Sequence, residues 1–414
     1  QTLIFSSMHV NRQLSCYSWR VSIRSEEPYA VDEGTVELVR LVRAGHSLSR
    51  AEIGQRTGWA RVTVNQRLDR AVEAGLLAEI GTASSARGRP AARFALNAHR
   101  AQILVADIGA SGMRLAATDL LGTVLRRSDQ TIRIADGPDT VLDQVTTALL
   151  SLQDGDVPLW GVGVSVPGPV EFATGTIVSP PIMTGWDGTC IPARLAQFGP
   201  LIFVDNDVNA MVMGERAASY PVVDDLLLIK VGTGIGAGII ATGRTLRGAQ
   251  GAAGDIGHIR ADVAGAADPP LCRCGQLGCV EAYAGGWAIL RDLAAAGREV
   301  HTVDDVVKAV QNGDPVATSL VREAGRTLGA TVADAVGLLN PAVIVLAGQL
   351  SNTGEHLLAG IRERIYSRSL PLAMRELHIA ASELHGDSGV RGLAHGALDR
   401  LFEAEHLNQA LAVG

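Results

Sequence analysis

No apolar run in the 414-residue chain approaches the roughly 20 residues that a membrane helix needs, because Gly, Thr, Asp or Arg interrupts every candidate. A membrane span is therefore not expected. The first 28 residues, from QTLIFSS onward, have neither a long apolar core nor a small-residue cleavage pattern. They read as a leader without fixed structure rather than as a signal peptide. Cysteine is scarce, five in all, and three of the five crowd into eight positions of LCRCGQLGCVE, Leu271 to Glu281. A cluster so tight cannot staple long loops, so it points to a metal and to a reducing compartment, the cytoplasm. The net charge of −7 excludes a chain that coats nucleic acid along its whole length. What is present, 47% apolar and 19% charged residues, describes a globular chain long enough for two or three domains.

The charge is unevenly spread. Residues 29–98 carry ten arginines against seven carboxylates, a local excess of +3 in an otherwise acidic chain. EGTVELVRLVRAG spaces Val36, Val39, Leu41 and Val42 for a helix ending at Gly45, and Ser47 or Ser49 can cap a second helix in SRAEIGQRT. In ARVTVNQRLDRAVEAG, Ala60, Val64, Leu68 and Ala71 or Val72 share one face, while Arg61, Thr63, Gln66, Arg67 and Arg70 fall elsewhere. This is the pattern of a helix-turn-helix whose last helix offers polar and basic side chains to a DNA major groove. LLAEIGTASSARGRPAARFALN then supplies two strands around a wing tip. There, Arg87 and Arg89 suit a narrow minor groove or, equally, a solubilised interdomain linker.

From Ala101 the texture changes to strand, Gly-rich turn, strand. Asp107 and Gly109 open the first such turn, and Gly232, Thr233, Gly234 and Gly236 make a second in VGTGIGAGI, which suggests a duplicated domain. Two such turns facing across a cleft can cradle nucleotide phosphates, with Asp107 placed to orient the metal, although each alone can simply turn the chain. Between them, LIFVDNDVNA delivers Asp205, Asn206 and Asp207 to the carboxyl end of a strand. An Asn-Asp pair there suits a polyhydroxylated ligand, with the carboxylate able to act as a general base. The same residues also suit a helix N-cap.

Cys272, Cys274 and Cys279 are three soft donors in a small loop, and His258 upstream can complete a tetrahedral Cys3His zinc site. Four protein ligands leave no open position for water, so such a zinc is structural. A metal on one ring nitrogen of His258 fixes the tautomer at the other, leaving an N–H for a ligand hydroxyl beside Asp255 and Glu281.

SRAEIGQRTG, RGRP, VPGPV, NDVNA, VGTGIGAGI, GDIGH and CRCGQLGCVE, in this order, resemble the ROK family (repressor, open reading frame, kinase), specifically its branch with an N-terminal winged helix. The resemblance runs from about Glu33 to Leu407. It implies a winged helix-turn-helix at 29–98 and an actin-like sugar-kinase fold. The small lobe would span 99–210 with a returning C-terminal helix near 388–406, and the large lobe, with the zinc loop, 211–387. Carried over, the sugar contacts fall on Asn206, Asp207, His258 and Glu281 with Gly168 alongside, and Asp207 sits where the kinases keep their base. The chain departs from the pattern at Asp255 (usually Glu), Thr184 (usually Asn), Ala110-Ser111-Gly112 in the first phosphate loop, and Ala347 before Gly348. The resemblance thus implies a sugar-responsive repressor that binds operator DNA as a homodimer or homotetramer. The alternative is a sugar kinase using ATP and Mg2+ that also carries a DNA-binding domain.

Overall fold

The computed structural model describes residues 30–82, 92–263 and 268–413, so the leader and the wing-tip arginines Arg87 and Arg89 lie outside the described residues. Asp32 caps α1 (Glu33–Ala44), which ends at Gly45, and buries Val36, Leu38, Val39 and Val42, with Leu41 only partly covered. A short β1 (Leu48–Ser49) leads into α2 (Arg50–Thr57). Of the two candidate caps it is Ser49 that starts α2, in a reciprocal capping box with Glu52. Gly58, at φ +70°, takes the left-handed conformation that closes α2 and turns the chain toward α3 (Arg61–Glu73). The buried face of α3 is Val64, Leu68 and Ala71, whereas Val72 is exposed, and Ala60 lies before the first turn as an exposed N-cap. β2 (Leu77–Thr82) and β3 (Ala92–Leu96) form the antiparallel wing, with β1 on the other edge of β3.

Next come β4 (Gln102–Ile108), β5 (Gly112–Thr118), β6 (Val124–Thr131), α4 (Pro138–Leu152), β7 (Leu159–Val166), the short β8 (Val170–Glu171) and β9 (Thr176–Ile177), α5 (Ile191–Arg194), β10 (Ile202–Asn206) and α6 (Asp207–Ser219). The main sheet has the order β10-β7-β4-β5-β6, with β10, β7 and β4 parallel and β5 and β6 antiparallel. The chain continues through β11 (Leu226–Val231), β12 (Ile235–Ala241), β13 (Arg244–Thr245), α7 (Val280–Ala284), α8 (Gly286–Ala295), α9 (Val303–Gln311) and α10 (Pro315–Leu339). It ends with β14 (Val343–Ala347), α11 (Glu355–Arg368), α12 (Pro371–Met374), β15 (His378–Ala381), α13 (Ser388–Leu401) and α14 (Ala404–Val413). Their sheet, β13-β12-β11-β14-β15, repeats the first strand for strand, including the senses of pairing. In both sheets a Gly-rich hairpin follows the central strand, so the two turns read from sequence occupy equivalent places.

Helices α6 and α13 lie against each other between the sheets. A Cβ on Gly214 would overlap the Ser388 carbonyl, and one on Gly392 would overlap the carbonyl of Ala210, so only glycine permits this approach. On one side α6 packs Met211 and Val212 against Leu226, Leu228 and Ile240 of the second sheet. On the other, α13 packs Val390, Leu393 and Ala397 into a core shared with Ile103 and Val105 of β4.

That same core runs on into the winged helix. The C-terminal segment is two helices rather than one ending near 406, and Phe402, fully buried between them, faces α1. Arg43 of α1 lies over the Phe402 ring and pairs with Asp399 at 2.9 Å. Asn408 of α14 both accepts from the Val31 amide at 2.8 Å and donates to its carbonyl at 3.1 Å. Gly392→Ala is expected to cost about 1–3 kcal/mol, the range for overpacking. Urea unfolding checks this, and an unchanged midpoint would mean the crossing can widen freely.

Candidate functional site

The carboxyl ends of β4, β7, β10, β11 and β14 open on one cleft of about 540 Å3, the position in which α/β sheets hold ligands. Every cleft residue singled out from sequence lines it: the first turn at Asp107 and Gly109, Gly168, Asn206 and Asp207, the second turn at Gly232, Thr233, Gly234 and Gly236, and Asp255, His258 and Glu281.

The pairing of parallel strands puts Asp107 opposite Ser165, and Ser165 opposite Asp205, at the sheet's edge. The Ser165 hydroxyl donates to Asp107 Oδ1 at 2.7 Å, and the carboxylate packs against Gly389 in the first turn of α13, where a Cβ would overlap it. Burial pushes the Asp107 carboxyl above the usual carboxylate range, an effect only partly offset by Ser165 and by Lys230. Asp207, buried at the start of α6, accepts a short hydrogen bond on Oδ2 from the ammonium of Lys230, the charged end of the otherwise apolar β11. Burial alone would lower the Lys230 pKa, but the Asp207 carboxylate, aided by Asp107, outweighs it and raises it.

Asn206 does both things its position allows. Its Oδ1 accepts from the Val208 amide as the N-cap of α6, and its Nδ2 donates to the Gly168 carbonyl at 2.8 Å. Gly168 fits so closely against Met183 and Pro180 that a side chain there would displace them. Asp205 is committed to structure: it receives Arg247, the Asn206 amide and Asn209 and is almost inaccessible.

On the far wall, Glu281 is buried in α7 and accepts from the Ile235 amide at 2.9 Å and from Trp287 Nε1 at 3.1 Å. It thereby ties the second glycine turn to the cysteine loop. The Asp255 carboxylate has no hydrogen-bond partner among the described residues. The surrounding protein and the neighbouring Glu281 carboxylate raise its pKa against the pull of His258, although water still reaches it through the cleft.

Behind this wall His258, Cys272, Cys274 and Cys279 bring one ligand atom each to within 4.8 Å of one another. Cys272 Sγ is 3.6 Å from His258 Nδ1, and Cys274 Sγ is 3.7 Å from Cys279 Sγ. A tetrahedral ion with metal–sulfur bonds of about 2.3 Å has ligand–ligand edges of about 3.8 Å, so the set fits a metal ion. Burial and the adjacent sulfurs push the Cys279 thiol up to about 12, so without a cation this sulfur stays protonated. With Nδ1 turned to the sulfurs, Nε2 is the His258 nitrogen left for the cleft.

Two departures from the family pattern, Ala110 and Ala347, line the cleft and also pack against the sheets behind it. The Ala347 methyl is buried with Leu228, Val345 and Val212, and the close approach at that turn is made by Gly348 against Val231; Ala110 packs partly onto the core of the first sheet. Thr184 is exposed and outside the cleft lining. The residues that sequence reasoning passed over are Lys230 and Trp287. The signal for the first was a lysine ending the apolar strand LLLIK.

On α3, Arg61 and Gln66 are exposed and Thr63 half-exposed. Arg67 does not project with them. Its guanidinium stacks 3.9 Å from the Trp59 ring centroid and lies against Gly34 of α1, so packing within the domain holds it. Among the described residues no helix is long and apolar enough to cross a membrane.

A family model for the ROK family matches residues 103–400. The xylose repressor of Caldicellulosiruptor bescii is 27% identical over 83% of this chain and 90% of its own length. A crystal structure of a ROK family transcriptional regulator, homologous to the E. coli MLC protein, superposes with a TM-score of 0.77 at 25% identity, covering 92% of this chain and all of that one. A ROK family glucokinase from Streptomyces griseus, solved with glucose and AMPPNP, gives 0.62 at 28% identity, covering 71% of this chain and 98% of the kinase. The kinase thus has no room for the N-terminal winged helix, whereas the regulator spans it. With the family model matching most of its length, the chain belongs to the ROK family.

Proposed function

We propose that the protein is a sugar-responsive transcriptional repressor, with residues 29–98 binding operator DNA and the cleft between lobes 99–210 and 211–387 binding the sugar. The observation that carries this reading is α13. Its first turn packs on Asp107 in the cleft, and its last turn and Phe402 pack on α1 of the winged helix. A sugar held by Asn206, Asp207, Asp255, His258 and Glu281 touches both walls and favours one arrangement of the lobes. The operator favours another, and α13 makes the two mutually dependent. The xylose repressor among the relatives supports the same reading.

The metal of the cysteine loop is zinc in this reading, held by His258, Cys272, Cys274 and Cys279. Bound there, it supplies rigidity, and its bond to Nδ1 leaves a fixed N–H at Nε2 for a sugar hydroxyl. As a homodimer or homotetramer the protein presents paired α3 helices to half-sites about one helical turn apart or multiples of that spacing.

Titrating operator complexes with a panel of hexoses, pentoses and amino sugars tests the function. The cognate sugar is expected to lower operator affinity by about 5–150-fold, the usual allosteric coupling of about 1–3 kcal/mol. No release by any sugar that binds the cleft would end the reading. Arg61→Ala or Gln66→Ala is expected to cost about 1–3 kcal/mol on the specific operator and less on random DNA, read by competition binding. Elemental analysis should find one zinc per chain, and Cys279→Ser should lose both the metal and sugar binding, because the loop carries His258 and Glu281. A Cys279→Ser protein that binds sugar normally would separate the two sites.

A further inference from the structure

The fold family includes kinases, and a nucleotide's divalent cation in such a cleft would need free carboxylate oxygens facing the phosphates. Here the two candidates are Asp107, at the first glycine turn, and Asp207, at the start of α6. Between them stands a cation that belongs to the chain. Lys230 is the penultimate residue of β11, next to the second glycine turn, opposite Gly236 in one neighbouring strand and Ala347 in the other. Its ammonium donates to Asp207 Oδ2 and is close enough to Asp107 for the two charges to act on each other. Arg114 of β5 adds a second positive charge that acts on both Asp107 and Lys230. Part of the opposing carboxylate charge is thus already matched, and one oxygen of Asp207 is hydrogen-bonded to an ammonium. The second glycine turn keeps its pattern, and Gly348 makes a close backbone approach to Val231.

We propose that Lys230 is a resident counter-ion that takes the divalent-metal position between Asp107 and Asp207, so that the cleft accepts a sugar but not a metal–nucleotide complex. The residues present do not fit a catalytic magnesium: it would have to displace an ion-paired ammonium and then sit beside it, like charge against like. The remaining oxygen of Asp207 stays available to accept from a sugar hydroxyl. This inference rests on the cleft being the sugar site of a regulator, and it names the residue that keeps that site from being a kinase.

The test is binding of Mn2+ with AMPPNP to zinc-replete, full-length protein, read by the electron paramagnetic resonance of free Mn2+ and by calorimetry. Wild type and the charge-preserving Lys230→Arg are expected to show no saturable site. Lys230→Met, of similar length and uncharged, is expected to gain one at least about tenfold tighter than any wild-type signal, and Asp107→Asn added to Lys230→Met should abolish it. A wild-type protein that binds Mn2+·AMPPNP saturably, with loss on Asp107→Asn, overturns the proposal even if Lys230→Met does not fold. A folded Lys230→Met protein that gains nothing overturns it as well. Sugar-driven operator release by wild type without nucleotide is measured separately. Its absence, alongside the expected manganese results, would sink the regulator reading while leaving the metal exclusion by Lys230 in place.

Discussion

Helices α6 and α13 cross with almost no space between their backbones, and the arrangement of the rest of the molecule follows from that contact. Gly214 and Gly392 each leave a hole that a neighbouring carbonyl fills, so the helices share a single layer between two sheets that would otherwise need one helix each. α6 starts at the ligand-facing edge of the first sheet with Asn206 and Asp207 and covers the second sheet with Met211 and Val212. α13 starts against Asp107, covers the first sheet, and ends on the winged helix. Because packed interiors resist continuous deformation, a change at one end of such a pair moves whole helices rather than single side chains.

The cleft is built from polar groups whose hydrogen bonds are mostly already made. Asn206 is shared between a helix cap and the Gly168 turn, Glu281 between the Ile235 amide and Trp287, and Asp207 has one oxygen given to Lys230. Such commitments lock the side chains in place and leave a few lone pairs and N–H groups facing the cavity. That suits recognition of hydroxyls by pre-positioned partners, since little ordering remains to be done when the ligand arrives. Asp255, without a partner and with a raised pKa, is the group in this set with most freedom to respond to what binds.

The cysteine loop answers to the same requirement by different means. It has almost no apolar interior of its own, only Cys272, Cys279 and Ala282 with the partly covered Cys274 and Trp287 around them. A metal ion, which these four side chains could hold, would replace the burial that such a short loop cannot supply. His258 belongs to both the candidate ligand set and the cleft wall, and Glu281 follows Cys279 by two residues, so order in the cysteine loop bears directly on the cleft.

Much of this was legible in the sequence because it is local. Helix periodicity, a helix cap at Ser47 or Ser49, the twin glycine hairpins and the cysteine spacing are encoded within a few residues each, and their order along the chain matches the ROK pattern. The boundaries that slipped, such as the helix break near Phe402 and the inward turn of Arg67 beneath Trp59, depend on what lies opposite in space. Lys230 was passed over in the linear reading. Its pairing with Asp207, which lies 23 positions earlier on a different element, exists only once α6 has been laid against the second sheet. Sequence alone therefore determined the elements, the metal ligands and the family. Only the tertiary structure decided which charges meet in the cleft and which helix joins it to the DNA-binding face, because both depend on long-range packing that no local pattern specifies.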